Sequence, residues 1–474
     1  MKARFLISIL TISFSLSIYS QNVPGYRIIA KINGLSDSTI FLAYHLGDKQ
    51  YIQDTVKLDR NGVGSFTGKE KLQQGIYMVV LPDRRYFEII VSDKQDFSFE
   101  CKSADFFNTL KFFNSNENNS FITYQRNWVK IQKKAASIEE SYKQYKSNAD
   151  SVKVLTKRRQ ENENEMKEYL RSVVDQNQGT LLALLVNAII PPSQPEIIIA
   201  PGTKNPDSVR WVRSYMYNKN HFFDNVPLSD ERLVRTPILH AKLKTYFSSV
   251  VLQLPDSINK EVDRIILKCY SSRKVFQYVA VFLFNHFRES EIMGHDAIMV
   301  KLADDIYLSG KADWVTKEWR ENLRKEVDKL RPNLIGVTGH DLVMNSYNNV
   351  FVSLHDIRKD FTVLYFWEPD CGHCKEATPK LKEYYDKARN NGVEVFAVCT
   401  QADKQKWEKY IIDNKLDWIN GWDPQRKTNF DYYYNVTATP LVYILDRNKK
   451  IIAKKLPVES IGSFIDNYRK YGGL

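Results

Sequence analysis

Short apolar runs separated by turn residues fill the early part of the chain. Positions 26–32, 39–44, 56–58, 76–80, 86–91 and 97–101 are rich in Ile, Val, Tyr and Phe, residue types that suit a pleated, half-buried surface. Asn61-Gly62 predicts a hairpin among them, because both positions tolerate positive φ. Residues 21–105 therefore read as a small antiparallel β domain, sandwich-like, with no catalytic constellation of its own.

The pattern changes at 106. From Ser120 to about Asp175 the chain is rich in Lys, Glu and Gln and has no glycine or proline, which predicts one or two long helices. Pro191-Pro192, Pro195 and Pro201-Gly202 break this run. Beyond them Val262, Ile265, Ile266 and Cys269 recur at i, i+3, i+4 and i+7 and line one helix face. Asp256, after Pro255, is the expected cap of that helix. Residues 106–330 read as an all-α middle domain.

Arg331-Pro332-Asn333 marks the next boundary, and strands and helices alternate from there. An apolar run at 361–367 precedes a helical stretch at 374–388. A strand at 393–400, a helix at 404–414, a segment at 418–423 and an aromatic run at 432–434 come next. A strand at 441–446, a turn, a strand at 451–456 and a helix at 460–470 end the chain. This order predicts an α/β domain over 331–474 whose sheet closes with an antiparallel hairpin.

Composition narrows the class. Hydrophobic residues make up 43% of 474 positions and aromatics 13%, as in globular rather than disordered proteins. The formal charge of +12 is spread out: Lys157-Arg158-Arg159 runs straight into acidic positions from Glu161. No basic block interleaves with aromatics, so a solvated surface is the reading, and nucleic acid is not an expected partner.

The N-terminus begins Met1-Lys2-Ala3-Arg4, continues with an apolar run over 5–18 and reaches Tyr19-Ser20-Gln21. That is the pattern of a secretory signal peptide, 1–20. The run is shorter than the ~20 apolar residues of a membrane span, and five Ser and Thr residues dilute it. No cysteine follows it for a lipid anchor. The expectation is export to the periplasm or cell envelope, without stable membrane insertion once the signal is cleaved.

Five cysteines in 474 residues are too few for a disulfide scaffold. Two of them lie three apart, in Phe366-Trp367-Glu368-Pro369-Asp370-Cys371-Gly372-His373-Cys374-Lys375. A first cysteine between an apolar strand and a helix sits where free N–H groups and the macrodipole favour the thiolate, the nucleophilic form. A second cysteine one turn on can resolve the mixed disulfide. Gly372 is expected to allow a tight turn and His373 to lower the Cys371 pKa further. A half zinc site, a structural disulfide and a pair of core thiols are the alternatives. No second Cys pair or His pair at ligand spacing accompanies the motif.

The segment 331–474 resembles the thioredoxin superfamily, and within it the TlpA-like envelope thiol:disulfide oxidoreductases. The carriers are Phe366-Trp367, Cys371-Gly372-His373-Cys374, Pro379 in the following helix, Thr439-Pro440 before a strand, and the terminal hairpin and helix. The upstream β and helical regions are similar in order and texture to those of exported Bacteroidetes-type relatives. The resemblance implies a cis Thr439–Pro440 bond facing the cysteines, with the backbone of Thr439 offered to an extended substrate. It also implies Cys371 and Cys374 as catalytic and Trp367, Gly372, His373, Thr439 and Pro440 as the orienting set. No cofactor is expected. Disulfide-bonded envelope proteins (apocytochromes or mis-paired secreted chains) and an upstream membrane thiol donor are the implied partners.

The chain departs from the family in two places. The acid often found six positions before the first cysteine is Tyr365, and the Glu often found three after the second is Ala377. Glu368, Asp370 and Glu376 are the alternatives, and the proton acceptor for Cys374 stays unassigned. Cys101, Cys269 and Cys399 fall on apolar faces and read as packing residues. Gly-His inside the motif also occurs in disulfide isomerases, so isomerase and oxidase roles stand beside the preferred reductase. A non-catalytic envelope scaffold, with the thioredoxin domain as a docking module, is the rival from another class.

Overall fold

A computed structural model describes residues 25–472; the signal peptide read over 1–20 lies outside them. The chain divides into two compact units. Among the described residues one holds 25–203, His221–Pro227 and Arg232–Ala241, and the other holds Lys204–Asn220, Leu228–Glu231 and 242–472.

The first unit is built on eight strands: β1 Tyr26–Asn33, β2 Thr39–Leu46, β3 Lys49–Lys57, β4 Val63–Gly68, β5 Gly75–Val80, β6 Tyr86–Val91, β7 Asp96–Lys102 and β8 Lys111–Phe113. They form two four-stranded sheets, ordered β4-β1-β7-β8 and β3-β2-β5-β6. Period-two alternation turns Ile28, Ala30, Ile32, Phe97, Phe99 and Cys101 of the first sheet inward, against Ile40, Leu42, Val79, Phe87 and Ile89 of the second, a sandwich core. Two expectations need correction. The sheets are not wholly antiparallel, since β7 returns parallel to β1 after the chain has crossed through the other sheet. Asn61-Gly62 does make a turn, with Gly62 at φ +74, but the strands it joins lie in different sheets. A Cβ on Gly62 would come 2.4 Å from the Ile32 carbonyl, so the corner needs glycine.

Strand β3 was legible only at its last residues because it is exposed almost throughout and carries no apolar alternation. The helices Asn116–Tyr145 and Ala149–Gln176 extend from the sandwich. The first is fixed at its start: buried Ile122 joins the core, and the Asn118 amide exchanges hydrogen bonds with the Ile90 backbone at 2.7 and 2.8 Å. The region expected to be one helical domain over 106–330 is thus shared between the two units.

In the second unit the helix Pro255–Cys269 starts with Pro255 in its first turn and Leu254 as N-cap. Asp256 is therefore not the cap; it lies in the first turn, where a negative charge favours the macrodipole. The remaining strands are β9 Val343–Ser346, β10 Phe351–Ser353, β11 Phe361–Trp367, β12 Val393–Cys399, β13 Ile419–Trp422, β14 Leu441–Asp446 and β15 Ile451–Lys454. Their order is β10-β9-β13-β12-β11-β14-β15. Strands β11, β12 and β13 are parallel, and β14 and β15 form the antiparallel edge. β9 and β10 were not foreseen; they are short and largely exposed.

Strand β11 is buried at every residue, as expected of a central strand covered on both faces. Val363, Tyr365 and Trp367 face one core layer, and Leu364 and Phe366 the other. At the edge, buried Lys454 pairs with Asp296 and donates to the Asn333 carbonyl at 2.9 Å. Among the described residues no helix is long and apolar enough to cross a membrane.

Candidate active site

The site lies where β11 ends and the helix Gly372–Ala388 begins. Cys371 is the N-cap of that helix, and its Sγ accepts the Cys374 N–H at 3.2 Å. The sulfur thus takes the place that a Ser or Asp oxygen usually fills, against the positive end of the helix. Across from it, the Cys371 Sγ lies 3.3 Å from the Thr439 carbonyl, and the Thr439–Pro440 bond is cis. The motif and the distant Thr-Pro pair are therefore brought together.

The two sulfurs differ in environment. Cys371 is half-buried and Cys374 is fully buried. Burial alone would push the Cys371 thiol up. The Cys374 thiol and amide, the Thr439 side chain and the His373 amide outweigh it, so its pKa falls below the ordinary thiol value. Cys374 is pushed up to about 12, by burial first and by the neighbouring Cys371 second. One thiol is thus favoured as thiolate and the other as the protonated form.

The structure places the members of the orienting set in different surroundings. Trp367 is fully buried, its ring centroid 5.0 Å from that of Tyr410, so it supports the motif from beneath. Gly372 has no positive φ, and a Cβ there would meet nothing within 4 Å; the turn does not require glycine. His373 is exposed, and its backbone amide is the part that acts on Cys371. Thr439 and Pro440 remain half-exposed beside the pair.

The carboxylates considered for Cys374 are engaged or turned away. Glu368 accepts the Thr400 hydroxyl at 2.5 Å, and its backbone is the part that reaches Cys374. Asp370 is held by Lys406 at 2.7 Å, and Glu376 is exposed. In place of an acid, buried Tyr365 shares a 3.0 Å hydrogen bond with Thr378. Thr378 and Tyr410 were missed in the sequence. Thr378 was accessible from its i+4 spacing after Cys374, whereas nothing local points to Tyr410.

Cys101, Cys269 and Cys399 are buried free thiols, each pushed up to about 12 by burial. Among the described residues no group of three His, Cys, Asp or Glu could hold a metal.

A parallel-stranded core with an antiparallel edge, a cis-proline loop and an N-capping cysteine of a C-x-x-C pair define a thiol-disulfide oxidoreductase of thioredoxin fold. Residues 335–454 match the AhpC/TSA family. Thiol-disulfide oxidoreductase ResA of Geobacillus kaustophilus is 25% identical over 148 residues, covering 28% of this chain and 78% of that protein. A domain of a possible thiol-disulfide isomerase from Cytophaga hutchinsonii is 36% identical, covering 29% of this chain and 94% of that one, with a TM-score of 0.28. A thioredoxin-like protein from Bacteroides caccae is 17% identical and covers 58% of this chain and 97% of that one, with a TM-score of 0.45.

Proposed function

We propose that the chain reduces disulfides of exported proteins in the cell envelope through Cys371 and Cys374. The Cys371 thiolate attacks a substrate sulfur, one substrate thiolate leaves, and a mixed disulfide forms. Cys374 then loses its proton and attacks Cys371, releasing the second substrate thiol and leaving a Cys371–Cys374 disulfide. A thiol donor upstream returns the pair to the dithiol. The observation that carries this reading is the opposed setting of the two sulfurs: Cys371 is half-exposed with its pKa lowered, while Cys374 is buried with its pKa raised.

Thr439 supports the substrate role, because its carbonyl lies beside the attacking sulfur where an extended peptide can align. Export rests on the N-terminal pattern, and the reductase direction on the resemblance to TlpA-like proteins. Insulin reduction with dithiothreitol tests the chemistry: the wild-type protein accelerates precipitation and Cys371→Ser does not. Equal rates would remove the reading. Trapping the pair in cells tests direction, since a reductase is found mostly as dithiol and an oxidase mostly as disulfide.

A further inference from the structure

We propose that the open edge of β10, with the cleft beside it, docks an extended segment of a partner protein and takes a lysine or arginine side chain of that segment against Glu394. The site lies away from the cysteines. Glu394 stands near the start of β12, and the far end of that strand, Cys399, pairs with Trp367 beside the motif. Docking there needs no exchange at Cys371.

Strand β10 is the outermost of the seven-stranded sheet. The Val350 carbonyl accepts from the Ser346 amide, and the Leu354 amide donates to Leu342, so both positions face β9. In an antiparallel ladder the bonded side alternates, which turns the amides and carbonyls of Phe351 and Ser353 to the open edge. Such an edge is a template for another strand. The opposite edge differs: Gly336, Val337 and Thr338 bond or bridge along β15 and the residue before it. Nor does charge guard β10. Residues 343–353 include no Lys, Arg, Asp or Glu, and Val343, Val350 and Phe351 are 52%, 60% and 73% exposed.

Val350 and Val352 also line a cleft of about 560 Å³, together with Tyr347, Tyr385, Trp418 and Glu394. Side chains of an added strand that share the face of those two valines reach this cleft. The rings of Tyr385 and Trp418 meet edge-on, with centroids 5.8 Å apart. Glu394 Oε1 accepts the Tyr385 hydroxyl at 2.7 Å and the Val395 amide at 3.1 Å. Lys382 and Arg389 pair with Asp386 and Asp417, and among the described residues no cation pairs with Glu394. A carboxylate among aromatic rings favours a cationic side chain. The same hairpin in a second copy would bring none, so the segment belongs to another protein.

A dye-labelled short peptide that alternates valine and threonine around one lysine tests the site on the full-length protein, read by fluorescence anisotropy. The lysine peptide should bind, and norleucine in place of its lysine should weaken binding about tenfold, the scale of one charge-assisted hydrogen bond. Glu394→Gln, which can still accept the Tyr385 hydroxyl, should weaken the lysine peptide by the same factor and leave the norleucine peptide unchanged. Methylating the backbone amides of the peptide should abolish binding, because no strand can then pair with β10. These peptide changes leave the protein untouched, so they read the site even where a variant fails to fold. Equal affinity for the lysine and norleucine peptides would overturn the proposal, and so would equal affinity for the methylated one. Free lysine amide binding as tightly as the peptide would overturn the strand pairing. Self-association that the peptide does not displace would put a second copy on the edge and overturn it too.

Discussion

The sandwich and the thioredoxin-type sheet bury cysteines in strands of similar composition, yet only the second also sets a thiol at a helix start. Cys101 ends a β7 stripe with Phe97 and Phe99, closed over by the second sheet, and burial pushes it up to about 12. Cys399 in β12 fares the same way. Cys371 stands four residues beyond the end of β11, where a helix offers its unpaired amides. The thiolate is favoured at the end of a strand and the start of a helix, and disfavoured in the interior of either sheet.

Cys371→Ser tests that contrast most strongly: it should lose all measurable disulfide exchange, while Cys101→Ser keeps it in the folded protein. Loss of exchange in a folded Cys101→Ser protein would break the distinction. Next in size is Trp367→Ala. This fully buried ring should take about 3–5 kcal/mol from stability, read as a lower denaturation midpoint. An unchanged midpoint would mean that the floor of the site repacks.

Titration should separate the two thiols in opposite senses. The raised pKa of Cys101 gives stability that is fully present below the ordinary thiol value of 9.0 and is lost as pH rises from there to about 12. The lowered pKa of Cys371 gives stability present above 9.0 and lost as pH falls through its folded value. Midpoints measured against pH for the wild type, Cys101→Ala and Cys371→Ser should show both slopes. Alkylation should likewise reach Cys371 first, and equal alkylation rates for the two thiols at neutral pH would contradict the contrast.

A smaller effect is expected from Thr439→Val. Removing a side chain that lowers the Cys371 pKa should move the alkylation midpoint upward while exchange continues. Gly372→Ala should do least, because the added methyl meets nothing. Its midpoint should lie within ~1 kcal/mol of wild type, and a larger loss would show that the helix start needs glycine after all.

The sequence by itself determined what depends on neighbours along the chain. Short apolar runs bounded by turn residues located β1, β2, β5, β6 and β7, the continuous run at 361–367 marked a central strand, and the Cys371–Cys374 spacing marked a helix start. Each follows from β-favouring apolar side chains along one segment or from the unsatisfied amides of a helix end. Only the tertiary structure decided what depends on distant partners. The solvated strand β3, the parallel return of β7 and the edge strands β9 and β10 are defined by pairing and leave little apolar signal. The burial of Trp367, the closeness of Thr439 to Cys371 and the Tyr365–Thr378 hydrogen bond arise where separate elements meet. No local period encodes such meetings, because the sheet order and the packing of helices on its faces create them.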